Sequence, residues 1–169
     1  MFMIIHVIQP GETAYSIAAD YGVSAEWLIR ENGVAVPEEP VVGNTYVILF
    51  PEQTYTIQEG DTLESIANAF NVTVLDLLRN NTYLADQEYL IVGDTLVIRY
   101  TDSKIGPIVV NSYAYPFIDI NTLKKTLPFL TFLTVYGYNI TSEQDLDDIE
   151  DTTILQMSKA YRVAPLMHL

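Results

Sequence analysis

The 169-residue chain contains no cysteine, which excludes disulfide staples and thiolate metal ligation. Histidine is nearly as scarce. His6 and His168 stand far apart in sequence with no Asp or Ser partner in an obvious pattern, so neither a catalytic triad nor a metal centre is indicated and both read as strand residues. Basic residues number 8 against 22 acidic ones, for a net charge of −14. The deficit is steepest in residues 1–100, where 14 acids face Arg30, Arg79 and Arg99. A field of that sign repels phosphate backbones and anionic lipid, so nucleic acid is not expected as a partner, and a neutral polymer read by hydrogen bonds stays open. No apolar run approaches the ~20 residues that a bilayer-spanning helix needs, so membrane insertion is not expected either. The opening Met1-Phe2-Met3-Ile4-Ile5-His6 is short and lacks a basic flank. It predicts synthesis in the cytoplasm without a secretory signal.

What the chain does have is a repeat. Ile57-Gln58-Glu59-Gly60-Asp61-Thr62-Leu63, moved back 49 positions, lands on Ile8-Gln9-Pro10-Gly11-Glu12-Thr13-Ala14. The correspondence continues through Ser16 and Ser65, Ile17 and Ile66, Leu28 and Leu77, Arg30 and Arg79, and Asn32 and Asn81. After a one-residue insertion, Val42-Gly43-Asn44-Thr45 answers Val92-Gly93-Asp94-Thr95. A fixed-period echo of this length marks duplicated structural units. Each is about 50 residues long, near the lower limit for a unit folding on its own core.

Local signals give each unit the order strand–helix–helix–strand. In the first, a strand at His6–Ile8 precedes a helix capped by Thr13 and ended by Gly22, the residue that best tolerates a left-handed C-cap. Ser24 caps a second helix, Ala25 to Glu31, which buries Leu28 and Trp27, and a strand returns from Thr45 to Phe50. The second unit repeats this with a strand at Tyr55–Gln58, a helix from Thr62 to Phe70 closed by Asn71, a helix from Val74 to Asn80 capped by Thr73, and a strand from Thr95 to Tyr100. Pro51-Glu52-Gln53 is the expected linker.

The run Tyr55-Thr56-Ile57-Gln58-Glu59-Gly60-Asp61-Thr62-Leu63-Glu64-Ser65-Ile66-Ala67, with Asn81 and Val92-Gly93-Asp94-Thr95-Leu96-Val97-Ile98 behind it, resembles a LysM domain. The first repeat is a looser copy, with Glu12 where the family has Asp and Ala14 where it has Leu. The resemblance implies binding of N-acetylglucosamine polymers, namely peptidoglycan and chitin. On this reading the glycan-binding residues are Gly60, Asp61, Thr62, Leu63, Asn81, Leu90 and Ile91 in the second repeat. In the first they are Gly11, Glu12, Thr13, Ala14 and Asn32. The chemistry is that of a turn and a helix N-terminus offering backbone groups to an acetamido group. The competing reading makes the same glycines and threonines turn and cap residues of the fold. The second repeat is the stronger candidate for binding.

Beyond residue 104 the composition changes. Pro107 to Tyr113 and Phe129 to Tyr138 read as strands buried on both faces, and Val163 to Leu169 as a third strand. Helices are expected at Thr122–Leu127, capped by Asn121, and Thr152–Arg162. That alternation predicts parallel α/β structure. Val110-Asn111-Ser112-Tyr113-Ala114-Tyr115-Pro116, the run Leu130 to Tyr138, and Ala164-Pro165-Leu166-Met167 resemble the first three strands of a family 18 glycoside hydrolase barrel of the spore-germination type. Such a barrel needs roughly 250 residues, and the family's acidic motif Asp-x-x-Asp-x-Asp-x-Glu is not in this sequence. No catalytic residue is therefore assigned, and the chain is expected to hydrolyse nothing by itself. Tyr113, Tyr115, Tyr136 and Tyr138 fall near strand ends, where core packing is the expected role and lining of a sugar cleft the alternative. The acidic clusters at Glu38-Glu39 and Asp145 to Asp151 lack the spacing of a calcium loop and read as solvated surface; no metal or cofactor is expected.

The fold class expected is α+β: two βααβ LysM units at 3–50 and 54–100, then an incomplete α/β, barrel-like segment at 105–169 that leaves strand edges open and favours self-association. The function expected is glycan binding that targets a spore or cell-wall hydrolase. A non-enzymatic spore-coat protein localised by its LysM units is the alternative, and the bacterial spore or cell wall is the expected location.

Overall fold

In a computed structural model of the protein, residues 3–87, 89–101, 106–140, 145–146 and 149–168 are described. The first repeat comprises β1 (Met3–Val7), α1 (Ala14–Tyr21), α2 (Ala25–Glu31) and β2 (Thr45–Leu49). β1 pairs antiparallel with β2, from Met3 opposite Leu49 to Val7 opposite Thr45. Ile8, Ala14, Ile17, Ala18, Leu28, Tyr46 and Ile48 form its core, so both helices cover one face of the two-stranded sheet. The second repeat copies it as β3 (Pro51–Thr56), α3 (Leu63–Phe70), α4 (Val74–Asn80) and β4 (Thr95–Tyr100), again with antiparallel strands. Here Ile57, Ile66, Ala67, Leu77, Leu96, Val97 and Ile98 are buried.

The helix ends follow from local chemistry. Thr13 and Thr62 each form a reciprocal capping box, with Ser16 and Ser65 respectively, which satisfies two otherwise orphaned backbone donors. At the far ends the left-handed position is filled by Gly22 in one repeat and Asn71 in the other, the residue types that reach it most cheaply.

The expected linker is a strand instead. Pro51, Glu52 and Gln53 open β3, with Pro51 opposite Tyr100 and register shifts on either side of Gln53. A proline is tolerated at the first residue of a strand, where no ladder donor is needed, and the irregular register accommodates it. Side chains of the two repeats meet: the Trp27 and Tyr100 rings lie 6.4 Å apart and the Arg30 guanidinium sits 3.7 Å over the Tyr83 ring.

A separate compact unit contains β5 (Asn111–Ala114), α5 (Ile120–Thr126), β6 (Phe132–Val135), α6 (Thr152–Ala160) and β7 (Ala164–Met167). Its three strands are parallel in the order β5-β6-β7. Ala114, Leu123, Leu127, Leu133, Val135, Ile154 and Val163 make the core. The alternating order predicted the parallel sheet, but not its extent. The first strand begins at Asn111; Ile108 and Val109 are 81% and 69% exposed, so the apolar run is not buried on both faces. Helix α5 starts earlier than expected because Asp119, not Asn121, accepts from the Thr122 amide at 2.8 Å. Leu127, Pro128 and Phe129 continue it as a 3-10 turn. Leu169, Lys104, Ile105 and part of the acidic stretch 145–151 lie outside the described residues.

Candidate functional site

The two Gly–acid–Thr loops share one hydrogen-bond skeleton. In the second repeat the Gln58 amide donates to Asp61 Oδ2 at 2.7 Å and the Asp61 amide returns to the Gln58 carbonyl at 3.2 Å. In the first, Gln9 donates to Glu12 Oε2 at 2.7 Å and Glu12 returns to Gln9 at 3.2 Å. Gly60 and Gly11 carry φ of +86° and +88°, the left-handed conformation that lets the chain turn inside these rings. Both acids thus brace their loops. The Thr62 and Thr13 oxygens accept from Ser65 and Ser16 at 3.0 Å, which leaves each hydroxyl proton able to donate to a ligand.

The loop that enters the last strand of each repeat lies alongside. Ile8 exchanges backbone bonds with Gly43 and Asn44, and Ile57 with Gly93 and Asp94, at 2.9 to 3.0 Å. In both repeats this turn carries an exposed apolar pair, Val41 and Val42 at 66% and 55%, and Ile91 and Val92 at 52% and 60%. In the first repeat a cavity of about 300 Å³ opens here, lined by Ile8, Asn32, Val36, Val41, Asn44 and Tyr46 among others. Leu90 is half-buried beside Ile91, and Leu63 is half-buried at the start of α3.

Three of the expected contact residues serve as framework. Asn81 is 1% exposed. Its amide donates to the Leu77 and Val97 carbonyls at 2.9 and 2.7 Å and accepts from the Val97 amide at 2.8 Å. Asn32 makes the same three bonds, to Leu28 and Val47, at 3.0, 3.0 and 2.7 Å. Each ties the C-terminus of the second helix to the returning strand, which fixes the loop between them. Ala14 is fully buried, and its amide donates to the Pro37 carbonyl at 2.8 Å, joining the two loops of the first repeat.

The braces differ in one respect. Tyr55 donates its hydroxyl to Asp61 Oδ2 at 2.8 Å and packs edge-on to Phe70; the acceptor carboxylate pushes the Tyr55 phenol up. In the first repeat His6 stands between Glu12, 2.8 Å from Nε2, and the Tyr21 hydroxyl, 3.1 Å from Nδ1. The Gln9 amide, then His6, hold the Glu12 carboxyl below its ordinary range. In the sequence His6 reads as an ordinary strand residue, although the 49-residue shift sets it on Tyr55.

A larger cavity of about 430 Å³ lies between the repeats, lined in part by Ser24, Glu26, Trp27, Arg30, Asp94 and Thr95. It occurs once and away from the Gly–acid–Thr turns, whereas the loop surface is built twice from the same pattern. The duplicated loop surface is therefore the candidate binding site.

In the α/β unit, aromatic rings gather at the carboxyl ends of the parallel strands, the side on which such sheets bind ligands. Tyr115 stacks on Phe117 and Tyr136 with centroids 5.2 and 5.4 Å apart, and His168 lies 4.2 Å from Tyr136. Tyr113 and Tyr115 are 55% and 54% exposed, so they are not core residues; Phe117 and His168 were not foreseen here. Tyr138 departs from the row. It packs against the core and donates to Asp151, and burial, then that carboxylate, push its phenol up to about 12. Among the described residues, no cluster of three His, Asp or Glu could hold a metal and no helix is long and apolar enough to cross a membrane.

Two βααβ units with matching braced loops, followed by a parallel α/β unit, define the class. The LysM domain family model matches residues 6–48 and 55–99, and the chain belongs to that family. It is 26% identical over 166 residues to a protein of Bacillus subtilis (strain 168) named "Putative sporulation-specific glycosylase YdhD", covering 97% of this chain and 39% of that one. In fold it is similar to the spore cortex-lytic enzyme SleL of Bacillus cereus, with a TM-score of 0.60, 24% identity and coverage of 98% of this chain and 39% of that one. For SleL of Bacillus megaterium QM B1551 the values are 0.56, 23%, 98% and 40%. The chain thus spans about two fifths of the length of these relatives.

Proposed function

We propose that the chain binds glycans containing N-acetylglucosamine, peptidoglycan first and chitin second, through the loop pairs of its LysM repeats. In this reading it targets a spore or cell-wall glycoside hydrolase. Residues 3–50 and 54–100 are the binding domains, and 105–169 the opening strands of a family 18 barrel whose catalytic acids lie in no part of this sequence. The carrying observation is the recurrence, in both repeats, of an exposed apolar pair beside a braced turn with a donor hydroxyl. A sugar ring offers an apolar face and an amide, and those are the two features that such a surface complements. Similarity to relatives named for sporulation and for spore cortex lysis supports the location at the spore. The aromatic row at the strand ends supports a sugar cleft in the third segment.

Calorimetric titration of the full chain with N-acetylglucosamine oligomers tests the reading. Affinity should rise with oligomer length and fall about tenfold in an Ile91→Asp variant, whose exposed site is not needed for folding. No heat with any oligomer, together with no co-sedimentation with peptidoglycan, would overturn it and favour the coat-protein alternative. The outer sides of β5 and β7, unpaired among the described residues, also support self-association. Light scattering at the mass of a monomer would count against that part.

A further inference from the structure

The shift that superimposes the repeats places His6 on Tyr55, Glu12 on Asp61 and Tyr21 on Phe70. The three exchanges form a set. In the second repeat a phenol donates directly to the loop carboxylate, and Phe70 behind it has no polar atom. In the first, an imidazole fills that place and its spare nitrogen meets the hydroxyl that Tyr21 adds. We propose that His6 is a positioning residue of the first repeat's glycan loop whose protonation tightens that loop, so that the first repeat binds glycan more strongly in mild acid while the second does not respond. The inference rests on the glycan-binding reading of these loops.

The bonding fixes the sign. A carboxylate can only accept, so the neutral imidazole carries its proton on Nε2 and its Nδ1 accepts from Tyr21. Protonation adds the imidazolium charge to an Nε2–H bond whose carboxylate acceptor is already ionised, which makes the contact an ion pair. Nδ1–H then becomes a donor, and the Tyr21 hydroxyl turns to accept from it. Because Glu12 Oε2 also receives the Gln9 amide, the effect passes directly into the turn that leads to Gly11. Tyr46 is the partner of His6 across β1 and β2, and burial pushes its phenol up. Phenols keep their proton in the mildly acidic to neutral range in which an imidazole side chain can change its charge. The tightening requires a cationic His6 and an ionised Glu12 together, so it belongs to mild acid and is absent where either condition fails. The Tyr55–Asp61 bond is constant across the same interval.

The test uses the full chain with Ile91→Asp disabling the second repeat, titrated with an N-acetylglucosamine tetramer at pH 5.5 and pH 8. Affinity about three- to tenfold higher at pH 5.5 is expected. The exchange His6→Tyr, Glu12→Asp, Tyr21→Phe, which installs the second repeat's own set, should bind at both pH values with equal affinity. Equal affinity at both pH values before that exchange overturns the proposal. A readout independent of glycan is the Gln9 amide resonance, which should move with pH between 5.5 and 8 while that of Gln58 stays still. If Gln9 moves but no glycan binds at either pH, the positioning role stands and the glycan reading fails. If Gln9 stays still, the positioning role falls whatever the glycan does.

Discussion

The two repeats are the same backbone device executed with different degrees of burial. In both, an asparagine at the end of the second helix replaces a missing ladder partner by bonding to one residue of the returning strand, Val47 or Val97. In the second repeat the asparagine, Asn81, is 1% exposed and its three bonds are buried; in the first Asn32 is half-buried, with its two bonds to Val47 exposed and the one to Leu28 partly buried. Geometry is held constant while the environment changes, so the pair separates the value of a hydrogen bond from the value of shielding it from water.

The largest expected effect follows. Asn81→Ala strands a buried amide and a buried carbonyl of β4 together with the Leu77 carbonyl, and should cost about 3 kcal/mol in urea unfolding. Asn32→Ala exposes its partners to water, which can replace the lost bonds, and should cost about 1 kcal/mol. Equal losses would break the comparison and show that the bonds, not their burial, set the cost. A larger loss at Asn32 would mean that the first repeat depends on this tie because its core has little else.

Much of this was legible before any coordinates, and the reason is locality. α2, α4 and their caps fall where expected because a Ser or Thr three residues before a matching donor specifies a helix start by itself. The left-handed closures at Gly22 and Asn71 are equally local. What escaped depends on partners distant in sequence. Pro51 to Gln53 looks like a linker until Tyr100 and Arg99 arrive opposite. Ile108 and Val109 look like a buried strand because periodicity cannot say which neighbours cover an apolar run. At the candidate site, the turns at Gly11 and Gly60 were readable, but Ala14, Asn32 and Asn81 turned out to hold the loops, since a buried amide and a surface amide are the same letter. The His6 network was half-visible: the shift pairs His6 with Tyr55, and only the fold brings Tyr21 to the other nitrogen.

The smallest expected effect sits one residue before the asparagines. Glu31 corresponds to Asn80, whose amide donates to the Ile98 carbonyl at 2.9 Å. Glu31 has a buried carboxylate oxygen with no hydrogen-bond partner, and burial pushes its carboxyl up, with the neighbouring Arg30 acting against that shift. A carboxyl raised on folding binds its proton more tightly in the folded state, so its contribution is most favourable in acid and is lost as pH rises through the raised value. Glu31→Gln removes the charge and supplies a donor as Asn80 does. It should raise stability at pH 7 by about 0.5–1 kcal/mol, discounted for partial contact with water, which is about 1–4 °C in Tm for a chain of this size. At pH 3.5, where the native carboxyl is already neutral, the gain should shrink toward zero. A gain of equal size at both pH values would mean that the new donor, not the lost charge, is what the second repeat has and the first lacks.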